Sequence, residues 1–237
     1  MIVLGFDTAT PATAVGLRLA DGTTLRAYDE PEAGERPGHT TRSLALASEL
    51  LAQAGIGWGA LERIAVGVGP GTFTGLRVGV ATARGLAQSL GVEVVGVSSL
   101  RVLAHAALGE PGSQAHRCVL ATIDARRGEA YAAAYDTQGE LAPPRALAPE
   151  ALAALPAELD GERDWLAVGD GALRFRGYLE AIAVAVPVDT SPLHRVDAGV
   201  LCELALSAPA GDREAVLPDY RRRPDAEISL ETRGSKK

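Results

Sequence analysis

"IVLGFDTATPATAVGL", residues Ile2–Leu17, has a counterpart in "VLATIDARRGEAYAAAY", residues Val119–Tyr135. Each starts as an apolar strand that closes on an aspartate, Asp7 or Asp124, passes a short polar turn and resumes as a second apolar strand. The aspartates lie 117 positions apart in a chain of 237 residues, close to half its length. A repeat at that spacing predicts a duplicated α/β fold of two lobes.

Working outward, Ile2–Phe6, Thr13–Leu19 and Thr24–Tyr28 read as three antiparallel strands, with a hairpin turn at Ala20–Gly22. "HTTRSLALASELLAQAG" places apolar residues at Leu44, Ala47, Leu50, Leu51 and Ala54, a helical pattern with Thr40 as its cap and Gly55 as its stop. A strand at Arg63–Val68, a glycine-rich loop, a long helix to about Leu90, the strand "VEVVGV" and a helix capped by Ser98 complete a first lobe, residues 1–108. "GEPGSQAHR", Gly109–Arg117, reads as a linker. Residues 109–237 form the second, less regular lobe: the echo strands, a strand at Trp165–Val168, the "GDG" loop at Gly169–Gly171, a helix, the strand "AIAVAVPV" and a helix from about Asp197.

Composition narrows the function. Hydrophobic residues make up 47% of the chain, enough for a sizeable core, and the net charge is −7. Proteins that bind nucleic acid strongly on their own are more often basic, because phosphate contacts come from Lys and Arg. Cys118 and Cys202 sit in no CxxC pair, which points away from a zinc ribbon or disulfide framework and toward buried thiols. The N-terminal apolar run is cut by Asp7 and is too short for a signal peptide, so a soluble cytoplasmic protein is expected. "YRRRP", Tyr220–Pro224, with Lys236 and Lys237 beyond, is the basic cluster of the chain, a solvated tail or a contact to a partner or RNA backbone.

"GPGTFTGLRVG", Gly69–Gly79, invites comparison with phosphate loops. It is not GxxxxGK[ST], since no lysine follows, and Gly69, Gly71 and Gly75 give GxGxxxG instead of the dinucleotide spacing. An anion at the helix N-terminus, helped by Arg77, remains one reading. The other is packing. Gly75, Gly79, Ala83 and Ala87 recur every fourth residue and form a stripe along which another backbone can approach. With Leu76 and Val80 the helix is apolar nearly all round, so two sides are buried: one by its own sheet, the other by a second subunit or by the second lobe.

Catalytic groups are sparse. No Asp or Glu occurs between Ile64 and Val92, and His39, His105, His116 and His194 show neither HExxH nor HxxxH spacing. Asp7, followed by Thr8, stands where a phosphate-handling fold needs a magnesium or water ligand, and it also suits a turn-forming aspartate.

Together, "LGFDTATPATAVGL", "RPGHTTRSLALASELLAQAGI", "VGVGPGTFTGLRVGVATARGLAQSLGVEVVGVSSL", "IDARRGEAY" and "LPDYRRRP" resemble the bacterial TsaB (YeaZ) family across nearly the whole chain. The resemblance implies a duplicated actin/Hsp70-like (ribonuclease H-like) fold, each lobe a mixed sheet flanked by helices. It implies an accessory, non-catalytic subunit of the complex that makes N6-threonylcarbamoyladenosine beside the anticodon of tRNAs reading codons that begin with A. Its expected partners are a TsaD-type catalytic subunit, a TsaE-type ATPase and, alone, a second copy of itself, with tRNA reached mainly through the complex and no membrane. TsaD-like relatives carry an HxxxH pair after the strand matched by "VEVVGV". The slots here are Ser99 and Leu103, which cannot replace histidine ligands.

The expected partner interface is His39, Leu44, Ala47 and Leu51 on the first helix with Gly75, Leu76, Gly79, Val80, Ala83 and Ala87 on the second. Asp7, Thr8, Gly69 and Gly71 are the expected vestigial phosphate site. No metal, catalytic residue or resident cofactor is expected, apart from weak or shared-interface ATP or ADP. An ATP-dependent phosphotransferase or hydrolase with Asp7 as metal-water ligand is the competing reading, and a metal-dependent peptidase a third.

Overall fold

The structure, a computed structural model, describes residues 1–32, 35–110, 118–160, 163–209, 211 and 213–221. Most of the expected linker, His116 and the basic tail beyond Arg221 lie outside the described residues.

The first sheet contains β1 (Val3–Asp7), β2 (Thr13–Arg18), β3 (Thr24–Asp29), β4 (Arg63–Gly69) and β5 (Glu93–Ser98) in the order β3-β2-β1-β4-β5. Its helices are α1 (His39–Gln53), α2 (Phe73–Leu90) and α3 (Ser99–Gly109). The second sheet contains β6 (Cys118–Asp124), β7 (Ala130–Asp136), β8 (Gly139–Leu147) and β9 (Trp165–Val168) in the order β8-β7-β6-β9. It is accompanied by α4 (Pro149–Asp160), α5 (Asp170–Arg174), α6 (Arg176–Glu180) and α7 (Ala198–Ser207).

The duplication is visible in the pairing. In each sheet the first strand runs antiparallel to the second and parallel to the fourth, and the second runs antiparallel to the third. Strand alternation then builds three apolar layers. Leu4 and Phe6 of β1 face outward to α1 and α2, whereas Val3 faces the middle. In β6, Leu120 faces α4 while Val119, Ala121 and Ile123 face the middle.

That middle layer holds α3 and α7, exchanged between lobes. Helix α3, which follows the first sheet, packs on β6 and β7, while α7, near the end of the chain, packs on β1 and β2. Packing therefore does not follow the division of the chain near residue 108. Two glycines open the space for α7: a Cβ on Gly16 would overlap the carbonyl of Ala198, and one on Gly5 would press on Cys202 Sγ at 2.7 Å. Asp197 caps α7 by accepting from the Gly199 and Val200 N–H groups.

Three local expectations differ. "AIAVAVPV" is not a strand: Ala183 turns the chain at φ 62°, and Ala185 makes an isolated bridge to Leu166. Thr40 is not the α1 cap, which is Gly38. Strand β8 and helix α4 fall where prolines mask the pattern. Pro143 and Pro144 are tolerated because β8 is an edge strand, with its register shifting along β7, and Pro156 lies inside α4.

Candidate functional site

The glycine loop leads from β4 into α2 through a Gly69 at φ 99° and a cis Gly69–Pro70 peptide. It lies directly on the turn between β1 and β2. Thr72 N–H donates to Ala9 O at 2.8 Å, and the Thr8 hydroxyl donates to Gly75 O at 2.7 Å. A Cβ on Gly71 would overlap Ala9 O, one on Gly75 the Thr8 carbonyl, and one on Gly79 the Thr8 hydroxyl. These glycines therefore admit the chain's own turn. At Gly71 the approaching atoms are the main chain of Ala9, and at Gly69 they are the Leu76 side chain.

Asp7 is similarly enclosed. It is 1% exposed, accepts from the Ser99 hydroxyl at 2.6 Å and from Ala9 N–H at 2.9 Å, and is overlain by Gly67, where a Cβ would collide with its carboxylate. Burial raises its pKa to about 6, against the lowering effect of those two hydrogen bonds. Asp7 and the fully buried Thr8 hold the turn in place. The repeat has diverged, since Asp124 meets Arg126 and Arg174 at 3.4 and 3.5 Å.

Most of the expected interface residues point inward. Ala47, Leu51, Val80, Ala83 and Ala87 are buried in the outer layer with Leu4, Phe6, Val15 and Val66, and Leu76 is 1% exposed. Gly75 and Gly79 rest against Thr8. His39 is buried with Nδ1 2.8 Å from the Thr13 hydroxyl, and burial lowers its pKa while Asp29 acts in the opposite sense. Leu44 alone of the set is exposed, at 44%. The inner stripe meets the chain's own turn and first-lobe core. Small residues every fourth position permit close approach, and the pattern carries no information on whose backbone approaches.

The solvent side of the same helices carries a second small-residue row. On α2, Thr74, Ala81 and Gly85 are exposed and Val78 half-buried, and a Cβ on Gly85 meets nothing within 4 Å. On α1, Leu44 and Ser48 are exposed and Ala45 half-buried. The row at positions 74, 78, 81 and 85 was legible in the sequence. Its signal is weaker, with one glycine where the inner stripe contains two.

Between the lobes a cleft of about 380 Å³ is lined by Thr10, Glu30, Asp170, Asp189, His194 and Arg195. Arg195 pairs with Glu30 at 2.7 Å across it, and Arg26 donates through Nε to both carboxylate oxygens of Asp197 at 2.8 and 2.9 Å. Among the described residues no three His, Cys, Asp or Glu side chains are grouped to hold a metal ion, and no helix is long and apolar enough to cross a membrane.

Comparison with known proteins bears on this arrangement. The sequence model of the TsaD family, tRNA N6-adenosine threonylcarbamoyltransferase, matches residues 31–194. The tRNA threonylcarbamoyladenosine biosynthesis protein TsaB of Escherichia coli (strain K12) is 37% identical over 177 residues, 72% of each chain. The chain belongs to the TsaB family. A solved structure from Pseudomonas aeruginosa, described by its similarity to the peptidase YeaZ, is 32% identical with a TM-score of 0.76, covering 93% of this chain and 99% of its own. The ethanolamine utilization protein EutJ of Carboxydothermus hydrogenoformans, 15% identical at a TM-score of 0.51, covers 85% of this chain and 89% of its own and shares the fold alone. TsaB membership connects the chain to tRNA threonylcarbamoyladenosine biosynthesis, on the duplicated actin-like fold expected from its sequence.

Proposed function

We propose that this chain is the accessory, non-catalytic subunit of the threonylcarbamoyl-transfer complex, and that it binds a TsaD-type catalytic subunit through the outer face of α1 and α2. A TsaE-type ATPase joins the pair, a second copy of the chain takes the same face when the catalytic subunit is absent, and the assembly works in the cytoplasm. The chain holds no resident cofactor, apart from weak or shared-interface ATP or ADP.

The observation that carries this reading is the outer face itself. Leu44 stands out of a surface otherwise built from small residues, Thr74, Ala81 and Gly85 with half-buried Val78, and none of these is charged. Two helices presenting small side chains allow a partner's helices to approach closely, burying apolar area with little side-chain entropy to lose. The enclosed Asp7 supports a subunit that lends structure and leaves the chemistry to its partner.

Light scattering on the chain mixed with a TsaD-type subunit tests it. A mass equal to the sum of the two is expected, and two separate monomers at tens of micromolar overturn it. Calorimetry with Mg-ATP discriminates the phosphotransferase reading, which requires submillimolar binding by the isolated chain that Asp7→Ala abolishes.

A further inference from the structure

Residues 213–221 return from the end of α7 across the first lobe to the start of α2. Val216 is buried against Gly96, Asp219 N–H donates to Val68 O at 2.7 Å, and Tyr220 lies on Phe73 with ring centroids 5.1 Å apart. Arg77 completes the stack. Its guanidinium lies 3.7 Å from the Phe73 ring centroid, and its Nε donates to the Tyr220 hydroxyl at 2.9 Å. Tyr220 is 43% exposed and Arg77 is exposed. Arg84 lies two turns along the same ridge of α2.

Charge concentrates at this corner. Neither Arg77 nor Arg84 has an ion-pair partner among the described residues, and Arg221 pairs with Asp219 at 2.7 Å. The helix and the strand before it carry no carboxylate between Ile64 and Val92. In a chain of net charge −7 this is a local cationic strip with planar groups presented beside it. It borders the docking face: α1 packs over β2 and β3 and the 213–221 segment over β4 and β5, while Arg77 and Arg84 lie within one turn of Thr74, Ala81 and Gly85.

We propose that this corner contacts unpaired RNA, stacking a base on the Tyr220–Arg77 surface and meeting backbone phosphates with Arg77 and Arg84. Exposed bases stack on tyrosine rings and guanidinium planes, and phosphates are neutralised by arginine. Two arginines of α2 without ion pairs among the described residues, Arg77 and Arg84, beside an exposed aromatic suit a phosphate backbone with a stacked base. The inference rests on the function proposed above, which supplies tRNA as the RNA.

The test is fluorescence anisotropy of a labelled anticodon stem-loop RNA with the full chain, alone and together with its catalytic subunit, at low salt. Arg77→Glu is expected to weaken binding about tenfold and Tyr220→Ala about fivefold, within the range for one stacked base. Each lost phosphate contact lowers the salt slope by about 0.7. Arg145→Glu, the same charge change on β8, where Arg145 is 46% exposed, is expected to change binding less than about twofold. Equal losses at positions 77 and 145, or no RNA binding by the unaltered chain in either form, overturn the proposal. So does loss of the catalytic subunit with unchanged RNA affinity, which assigns the corner to a protein contact. Should Arg77→Glu melt early, Arg84→Glu repeats the test at a side chain without a bonded neighbour among the described residues. Light scattering separates this from the function above: an unaltered chain that never joins a TsaD-type subunit refutes that reading whatever the RNA result.

Discussion

Ser99 donates its hydroxyl to Asp7 across 2.6 Å at the centre of the first lobe, and both side chains are buried. The contact ties the end of β1 to the first residue of α3. It exists because Gly67 on the neighbouring strand has no Cβ to occupy the same space. A carboxylate held this way meets two donors yet remains poorly solvated, and burial wins: its pKa rises from 3.8 to about 6.

The sign of the pH dependence follows. A carboxyl that binds its proton more tightly folded than unfolded contributes stability that is fully present below the unfolded pKa and is lost as pH rises through about 6. The shift corresponds to about 3 kcal/mol at neutral pH. Asp7→Asn keeps an acceptor for Ala9 N–H and removes the charge. Thermal melts are expected to show the variant more stable than the parent near about pH 8 by roughly 1–3 kcal/mol, the gap closing toward about pH 4. A gap independent of pH would refute it.

What was legible in the sequence divides along physical lines. The Asp7 and Asp124 strand-turn-strand units were readable because alternation and turn chemistry are local, and the duplicated sheets follow from them. The exchange of α3 and α7 was not, since Gly5 and Gly16 make their meaning only when α7 arrives from residues nearly two hundred positions later. The inner stripe of α2 shows the same limit. Gly75 and Gly79 announce a close approach, and it takes the fold to reveal Thr8 as the neighbour. Pro143, Pro144 and Pro156 hid two elements that the edge of a sheet and tertiary packing tolerate.

That dependence on α7 can be measured. A Cβ on Gly16 must displace the Ala198 carbonyl, which is main chain and cannot rotate away. Gly16→Ala is expected to destabilise by about 3 kcal/mol, lowering the melting temperature by on the order of 5–10 °C. Gly57→Ala, where nothing lies within 4 Å, is expected to stay within about 0.5 kcal/mol. Equal melts for the two would show that α7 does not sit on the first sheet.

Adjacent residues on α2 separate folding from docking. Val80 is 4% exposed in the outer apolar layer, so Val80→Glu buries an unpaired carboxylate and is expected to cost about 4 kcal/mol or more. Ala81 is exposed, and Ala81→Glu is expected to leave the melt within about 0.5 kcal/mol while abolishing association with the catalytic subunit by light scattering. Retained association in Ala81→Glu would remove the outer face from the interface.

Arg63 is the last determinant, because one nearly buried guanidinium finishes a helix from the other half of the chain. It is 7% exposed and donates to the Ala205 and Ala208 carbonyls at 2.6 and 3.2 Å, closing the C-terminal end of α7, and it pairs with Glu93 at 2.6 Å. The two partners are unequal. Glu93 is 48% exposed, so water replaces Arg63 when its charge is removed, and Glu93→Gln is expected to cost less than about 1 kcal/mol. Arg63→Met leaves carbonyls at the helix end without donors in a water-poor site, at an expected cost of about 3 kcal/mol. Denaturant titration of both variants and the double variant decides between the two roles. If Arg63 serves mainly the helix end, the double variant is as unstable as Arg63→Met alone. If the ion pair dominates, Glu93→Gln by itself costs as much as Arg63→Met.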